Sequence, residues 1–157
     1  MSRLSIAAVW AAMCLGTVSG QAQELRTTEW SAYGVSFKAP SDIVVEDDSA
    51  EGYVASSPVY YITVELLEGG DWKKEELPGE LKAVATDDEV TGQSEVKSFE
   101  SPQFYGVSLD GGCDTDLCVY SYLLAKDGSC GFYVSVVYKD AGDTVPETIL
   151  RSFRLED

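Results

Sequence analysis

Residues 117–139, LCVYSYLLAKDGSCGFYVSVVYK, hold two β-branched and aromatic runs joined at Asp127-Gly128. Asp-Gly between apolar runs is a strong hairpin signal, because a type I′ turn needs positive φ at both central residues. A two-residue turn fixes the register, and the period of two then sorts the side chains. Val119, Ser121, Leu123, Phe132, Val134 and Val136 fall on one face; Cys118, Tyr120, Tyr122, Leu124, Tyr133 and Val137 fall on the other. Neither face is polar. The ribbon is therefore expected in the middle of a sheet with a layer on each side.

The flanking sequence supplies both the sheet and its cover. Alternation at Val35 and Phe37, ending at Pro40, reads as a first strand after a polar, unstructured start at residues 23–28. Residues 43–46 extend it or begin another, and Glu46-Asp47-Asp48 reads as a solvated turn. Residues 53–56 and 59–67 are further strands, and 95–100 an edge strand bounded by Pro102. Residues 104–110 lead into the hairpin; if Asp110 faces Leu117, Tyr105, Val107 and Leu109 join the tyrosine face. Phe104, Gly106 and Ser108 then join the face of Ser121, a small-residue patch suited to close approach of a helix. Asp71 is placed to cap a short helical turn. Leu77, Leu81 and Val84 form the buried stripe of a helix to about residue 87. A second helix runs over residues 145–153, with Pro146 near its start, Ile149, Leu150 and Phe153 as its apolar stripe, and Arg151 and Arg154 near its negative pole. The expected fold class is α+β: an antiparallel β-sheet of about six or seven strands sandwiched between helices, α/β/α.

Residues 1–22 have the layout of a cleaved secretory signal: Arg3, an apolar run over about 4–18, then small residues with a cut after Ala22 or Gly20. The run is short for a membrane anchor, and Ala-Ala-Met before Cys14 is a poor lipid-attachment site. The remaining 135 of the 157 residues make one domain, 23–157, secreted or periplasmic, with no membrane span. Without Arg3, ten Lys and Arg stand against 27 Asp and Glu, a net charge of −17. That surface repels phosphates and anionic headgroups, which speaks against nucleic acid and membrane-surface partners. It also serves simply to keep an exported chain soluble.

Histidine is absent, so imidazole-based triads and the commonest zinc sites are excluded. Cys113 and Cys118, five apart across a Gly-rich loop, are expected to form a disulfide in an oxidising compartment. Cys118 and Cys130 lie too far apart along the hairpin to bond, which leaves Cys130 as an odd thiol on a sheet face. Asp110, Asp114 and Asp116 around the same loop are weak candidates for calcium, because the regular spacing and distal glutamate of a calcium loop are missing. A solvated acidic turn is the competing reading. The pairs Glu75-Glu76 and Asp87-Asp88-Glu89 resemble a hydrolase acid/base pair only in composition. Tyr105, Tyr120, Tyr122 and Tyr133 share one face, either as an interface or as core under the C-terminal helix.

Gly34-Val35-Ser36-Phe37 followed by Pro40, the apolar strand near residue 60, the helix, the strand series ending in the hairpin, and Ile149-Leu150-Arg151-Ser152-Phe153 resemble the PsbP-like fold superfamily. That group includes PsbP, the Ran-binding Mog protein and short bacterial exported proteins. The resemblance implies a non-enzymatic chain with no cofactor, used as an accessory or partner-binding surface. It carries no catalytic motif and no particular partner. The function expected is therefore an exported binding or accessory protein for an unknown protein or envelope partner. The alternatives are a weak calcium-binding protein built on Asp110–Asp116 or a carboxylate-only hydrolase.

Overall fold

The computed structural model describes residues 23–156; the signal segment expected over residues 1–22 lies outside them. Its strands are β1 (Leu25–Trp30), β2 (Val35–Pro40), β3 (Val44–Ser49), β4 (Gly52–Ser56), β5 (Tyr61–Leu66), β6 (Lys97–Glu100), β7 (Phe104–Cys113), β8 (Asp116–Ala125), β9 (Gly131–Tyr138) and β10 (Arg154–Leu155). Two α-helices accompany them, α1 (Leu77–Asp87) and α2 (Val145–Arg151). Among the described residues, no helix is long and apolar enough to cross a membrane.

The hairpin β8–β9 sits inside a seven-stranded sheet of order β3-β4-β5-β9-β8-β7-β6, every neighbour pair antiparallel. Its register is the expected one, Leu124 facing Gly131 and Val119 facing Val136. The connection is not a two-residue type I′ turn, however: of Asp127 and Gly128 only Gly128 has positive φ, and the Ala125 N–H donates to the Cys130 carbonyl across a four-residue loop. Gly128 takes φ 78° and its N–H donates to the Ala125 carbonyl. Between β7 and β8 the pairing differs from expectation by two residues, since Asp110 faces Val119 and Gly112 faces Leu117. Each strand thus runs on to a tight turn at Asp114-Thr115, with Asp114 at φ 56°. A slip of two leaves every side chain on its expected face, because the strand period is two.

Three local expectations are corrected. The polar start at residues 25–30 is a strand, β1, that pairs with β2 along its whole length; its side chains stay largely exposed apart from Trp30, which hid its alternation. The acidic run Glu46-Asp47-Asp48 lies in the edge strand β3, where both faces of a polar strand can remain wet. The turn before α1 is a 3-10 turn, Lys74–Glu76, whose N-cap is Lys73 instead of Asp71. There the Lys73 N–H donates to the Glu76 carboxylate at 3.0 Å, closing the turn with an acidic group at its positive pole.

β1, β2 and β10 form a separate three-stranded sheet of order β1-β2-β10. With α2 it covers the Val119–Leu123–Phe132 face of the large sheet. Trp30, Phe37, Tyr53, Phe104, Phe132 and Phe153 are buried there, with Phe37 stacked on Phe153 at 4.5 Å. The Trp30 indole N–H donates to the Ser49 carbonyl at 2.6 Å, tying the two sheets together. α2 is held on this face because β10, directly after it, pairs with Ser36 and Val35 of β2. The C-terminal helix therefore does not cover the tyrosines. α1 does, packing Leu77, Leu81 and Ala85 against Val107, Leu109, Tyr120 and Tyr122. Gly106 admits the Phe99 ring, whose atoms would lie 2.3 Å from an added Cβ, so that gap in the sheet is filled by a neighbouring strand and not by a helix.

Candidate functional site

α1 packs chiefly on β7 and β8, with Tyr133 and Val137 of β9 at the margin of its cluster, so the cover on the tyrosine face thins out halfway across the sheet. The paired registers lay out what remains open. One row reads Val44, Ser56, Tyr61, Val137; the next reads Asp47, Val54, Thr63, Ser135; a third joins Glu65 to Tyr133. Continued under α1, these rows reach Cys118, Tyr120 and Tyr122. Tyr61 is 44% exposed and Val44 65%, while Tyr133, Ser135 and Val137 are half-buried at the border of the helix. Four strands by three rows at strand and residue spacing make an open face of roughly 300 Å².

The border is a rigid aromatic wall. Tyr133 meets Tyr120 and Tyr122 edge-to-face at 5.7 and 6.0 Å, and Trp72 leans on Tyr122 at 5.8 Å. The Tyr120 hydroxyl donates to the Asp88 carboxylate at 2.6 Å, which fastens the end of α1 to the sheet. Burial raises the Tyr120 phenol well above its ordinary pKa, and the bond to Asp88 raises it further. Tyr122 is raised by burial and then by Glu80, Asp88 and Glu65. Tyr133 is pushed up to about 12, chiefly by burial, with the Ser135 hydroxyl pulling the other way and Asp88 adding to the rise. Carboxylates thus face the aromatic wall, and the open rows contain Asp47 and Glu65 but no lysine or arginine.

The other anticipated residues fall as follows. Cys113 and Cys118 are joined, with Cα atoms 5.8 Å apart across the β7–β8 hairpin. Cys130 is a free, half-buried thiol, raised by burial and then by Asp127 against a lowering bond from Ser129, so thiolate chemistry is not favoured. Asp110 is bridged to Lys97 at 3.1 Å and Asp116 to Lys139 at 3.2 Å. Among the described residues, no group of three or more Asp, Glu, Cys or His could hold a metal ion, so Asp110, Asp114 and Asp116 are not assembled into a calcium cradle. Tyr105 stands apart from the other tyrosines, with the Lys74 ammonium 4.3 Å from its ring centre. Glu75 and Glu76 lie in the turn before α1.

The open rows were not singled out from sequence, yet the signal is present. Tyr61, Thr63 and Glu65 alternate with Ile62, Val64 and Leu66, and Tyr133, Ser135 and Val137 with Phe132, Val134 and Val136. An aromatic and hydroxyl face opposite a fully apolar one marks a strand open to water on one side.

The fold is an α+β fold like that of Mog1. The Ran-binding protein Mog1p of Saccharomyces cerevisiae aligns with a TM-score of 0.58 at 10% identity, over 87% of this chain and 97% of that one. A point mutant of protein Mog1 aligns at 0.57 and 11% identity, over 85% and 97%. A crystal structure from Bacteroides thetaiotaomicron VPI-5482 aligns at 0.52 and 9% identity, over 86% of this chain and 49% of that one. No curated protein sequence matches the chain. The family model described as Dihydro-orotase-like matches residues 41–141, and by that match the chain belongs to that family.

Proposed function

We propose that this is an exported, non-catalytic accessory protein that docks a basic protein partner on the open half of its large sheet. The observation that carries the reading is that half-open face: Tyr61, Thr63, Ser135, Val137 and Tyr133, bordered by carboxylates and without a cation. Rigid aromatic groups beside adaptable hydroxyls are the groups protein interfaces favour. An open area of roughly 300 Å² is below the ~800 Å² per partner of a standard interface, so binding extends onto the acidic flank of α1. The structural neighbour Mog1p carries a protein partner in its own name, which supports a binding role for the fold.

The family description carries an enzyme's name. This chain has no histidine to act as base or ligand, and its clustered tyrosines are held protonated, which supports a non-catalytic reading. The Cys113–Cys118 bridge fits an oxidising compartment, in keeping with a signal cleaved after Ala22. Retention of a partner from the cell envelope by the mature chain, compared with Tyr61→Lys, tests this. The wild type retains the partner in low salt and releases it as salt rises, while the variant retains none. Equal retention by both would refute the assignment of this face. Intact mass of the exported form, expected to start at Gln23, tests the cleavage.

A further inference from the structure

Among the described residues, the seven-stranded sheet has two unpaired edges, β3 and β6, and they differ in character. β3 carries a register irregularity between Val45 and Asp47 together with Glu46, Asp47 and Asp48, both of which discourage pairing. β6 pairs with β7 without a bulge, and its side chains are mostly exposed. The Ser101 N–H donates to the Phe104 carbonyl at 3.0 Å, in the same register as the β6–β7 pairs. Antiparallel pairs alternate between bonded and unbonded, so Phe99 and Lys97 bond to β7 while Ser98 and Glu100 turn N–H and C=O outward.

A cleft lies beside this edge on each face of the sheet, and Ser98 and Phe99 line both. On the α1 side the cleft is about 380 Å³, with Leu77, Pro78, Tyr105 and Val107 in its walls. On the α2 side it is about 290 Å³; there Asp110 is bridged to Lys97 and Glu147 to Arg151, which leaves Asp143 as the carboxylate without a cation beside it. A strand added to β6 would send alternate side chains into the two clefts, because its residues point to opposite faces.

We propose that β6 is a strand-addition site for an extended segment of a partner protein in which apolar and basic residues alternate. The apolar side chains enter the α1-side cleft and the basic ones reach the α2-side cleft, where Asp143 has no cation of its own, while Ser98 and Glu100 supply the main-chain bonds. Lys97 and Glu100 on so short a strand limit pairing with unselected edges without blocking a segment of matching charge. This surface is separate from the open sheet face and does not depend on it.

The test uses the mature chain and a fluorescein-labelled hexapeptide alternating leucine with lysine, its ends blocked. Saturable binding below about 1 mM is expected, weakened at least about tenfold when alternate peptide amides are N-methylated. Ser98→Pro removes an outward N–H only, a substitution an edge strand tolerates. It should weaken binding by a similar factor with an unchanged melting midpoint, while Tyr61→Lys leaves the peptide affinity intact. No saturable binding, or equal affinity for the N-methylated peptide, overturns the proposal independently of how Ser98→Pro folds. A free chain that sediments as a dimer, and becomes a monomer in Ser98→Pro, would assign the edge to a second copy and overturn it too.

Discussion

Ser121 is fully buried in the middle of β8, between Ser108 on one neighbouring strand and Val134 on the other, and its hydroxyl has no hydrogen-bond partner. A buried hydroxyl without a partner has lost its water for nothing in return. Ser121→Ala should therefore leave stability unchanged or raise it by up to about 1 kcal/mol. A denaturant midpoint that falls by as much would show that the hydroxyl is bonded in solution. The tyrosine wall gives a pH dependence of definite sign. Tyr133 sits at about 12, and Tyr120 and Tyr122 are also raised in the folded state by burial, whereas an unfolded tyrosine titrates near 10. The folded chain then holds these protons when the unfolded chain has released them. Their contribution is complete below pH 10 and is lost as pH climbs towards 12. Phenolate absorbance followed against pH should show the titration of Tyr120, Tyr122 and Tyr133 coinciding with unfolding. Release of these three protons near pH 10 from a chain that is still folded would contradict the packing.

At the scale of elements, two glycines separate a soft contact from a hard one. The three atoms nearest a Cβ on Gly106 all belong to the Phe99 side chain, at 2.3 to 2.7 Å, and that ring lies on the edge strand β6. One on Gly111 would meet Val90 Cγ1 at 2.4 Å and the Thr91 carbonyl oxygen at 2.8 Å. Thr91 is fixed by a reciprocal pair of backbone bonds to Gly112, at 2.9 and 2.8 Å. Gly111→Ala should cost more than Gly106→Ala, by about 1–3 kcal/mol for displaced backbone, and thermal melts of the two variants check the order. The same contrast between local and distant determinants explains what the sequence made legible. The β8–β9 register, both faces of the hairpin, the stripe of α1 and the Cys113–Cys118 bridge depend on neighbours within one hairpin or helix. The three-stranded sheet depends on β10 returning to β2 from the far end of the chain, and residues 25–30 show no apolar alternation to announce it. The open face was hidden for a related reason. Whether Tyr133 is core or surface turns on how far α1 reaches across the sheet, and α1 packs chiefly on β7 and β8, leaving Tyr133 half-buried at its margin.

For the whole molecule, charge sets the response to salt. Four ion pairs join described residues, Lys97–Asp110, Lys126–Glu100, Lys139–Asp116 and Arg151–Glu147. All four are substantially exposed, where such pairs contribute about 0–1 kcal/mol each and weaken with salt. Against them stands the repulsion among 27 carboxylates balanced by only ten Lys and Arg once Arg3 is removed. Screening acts on both, but the excess of like charge is larger and spread over the whole surface. The melting midpoint of the mature chain should accordingly rise as sodium chloride is taken from ~10 mM, where the screening length is about 30 Å, to ~150 mM, where it is about 8 Å. The same change should loosen a basic partner on the open face, because attraction across an interface is screened like repulsion within the chain. The two readouts move in opposite directions for one cause. A midpoint that falls with salt would mean that the ion pairs outweigh the self-repulsion, and affinity that does not fall would mean that the partner is not recognised by its charge.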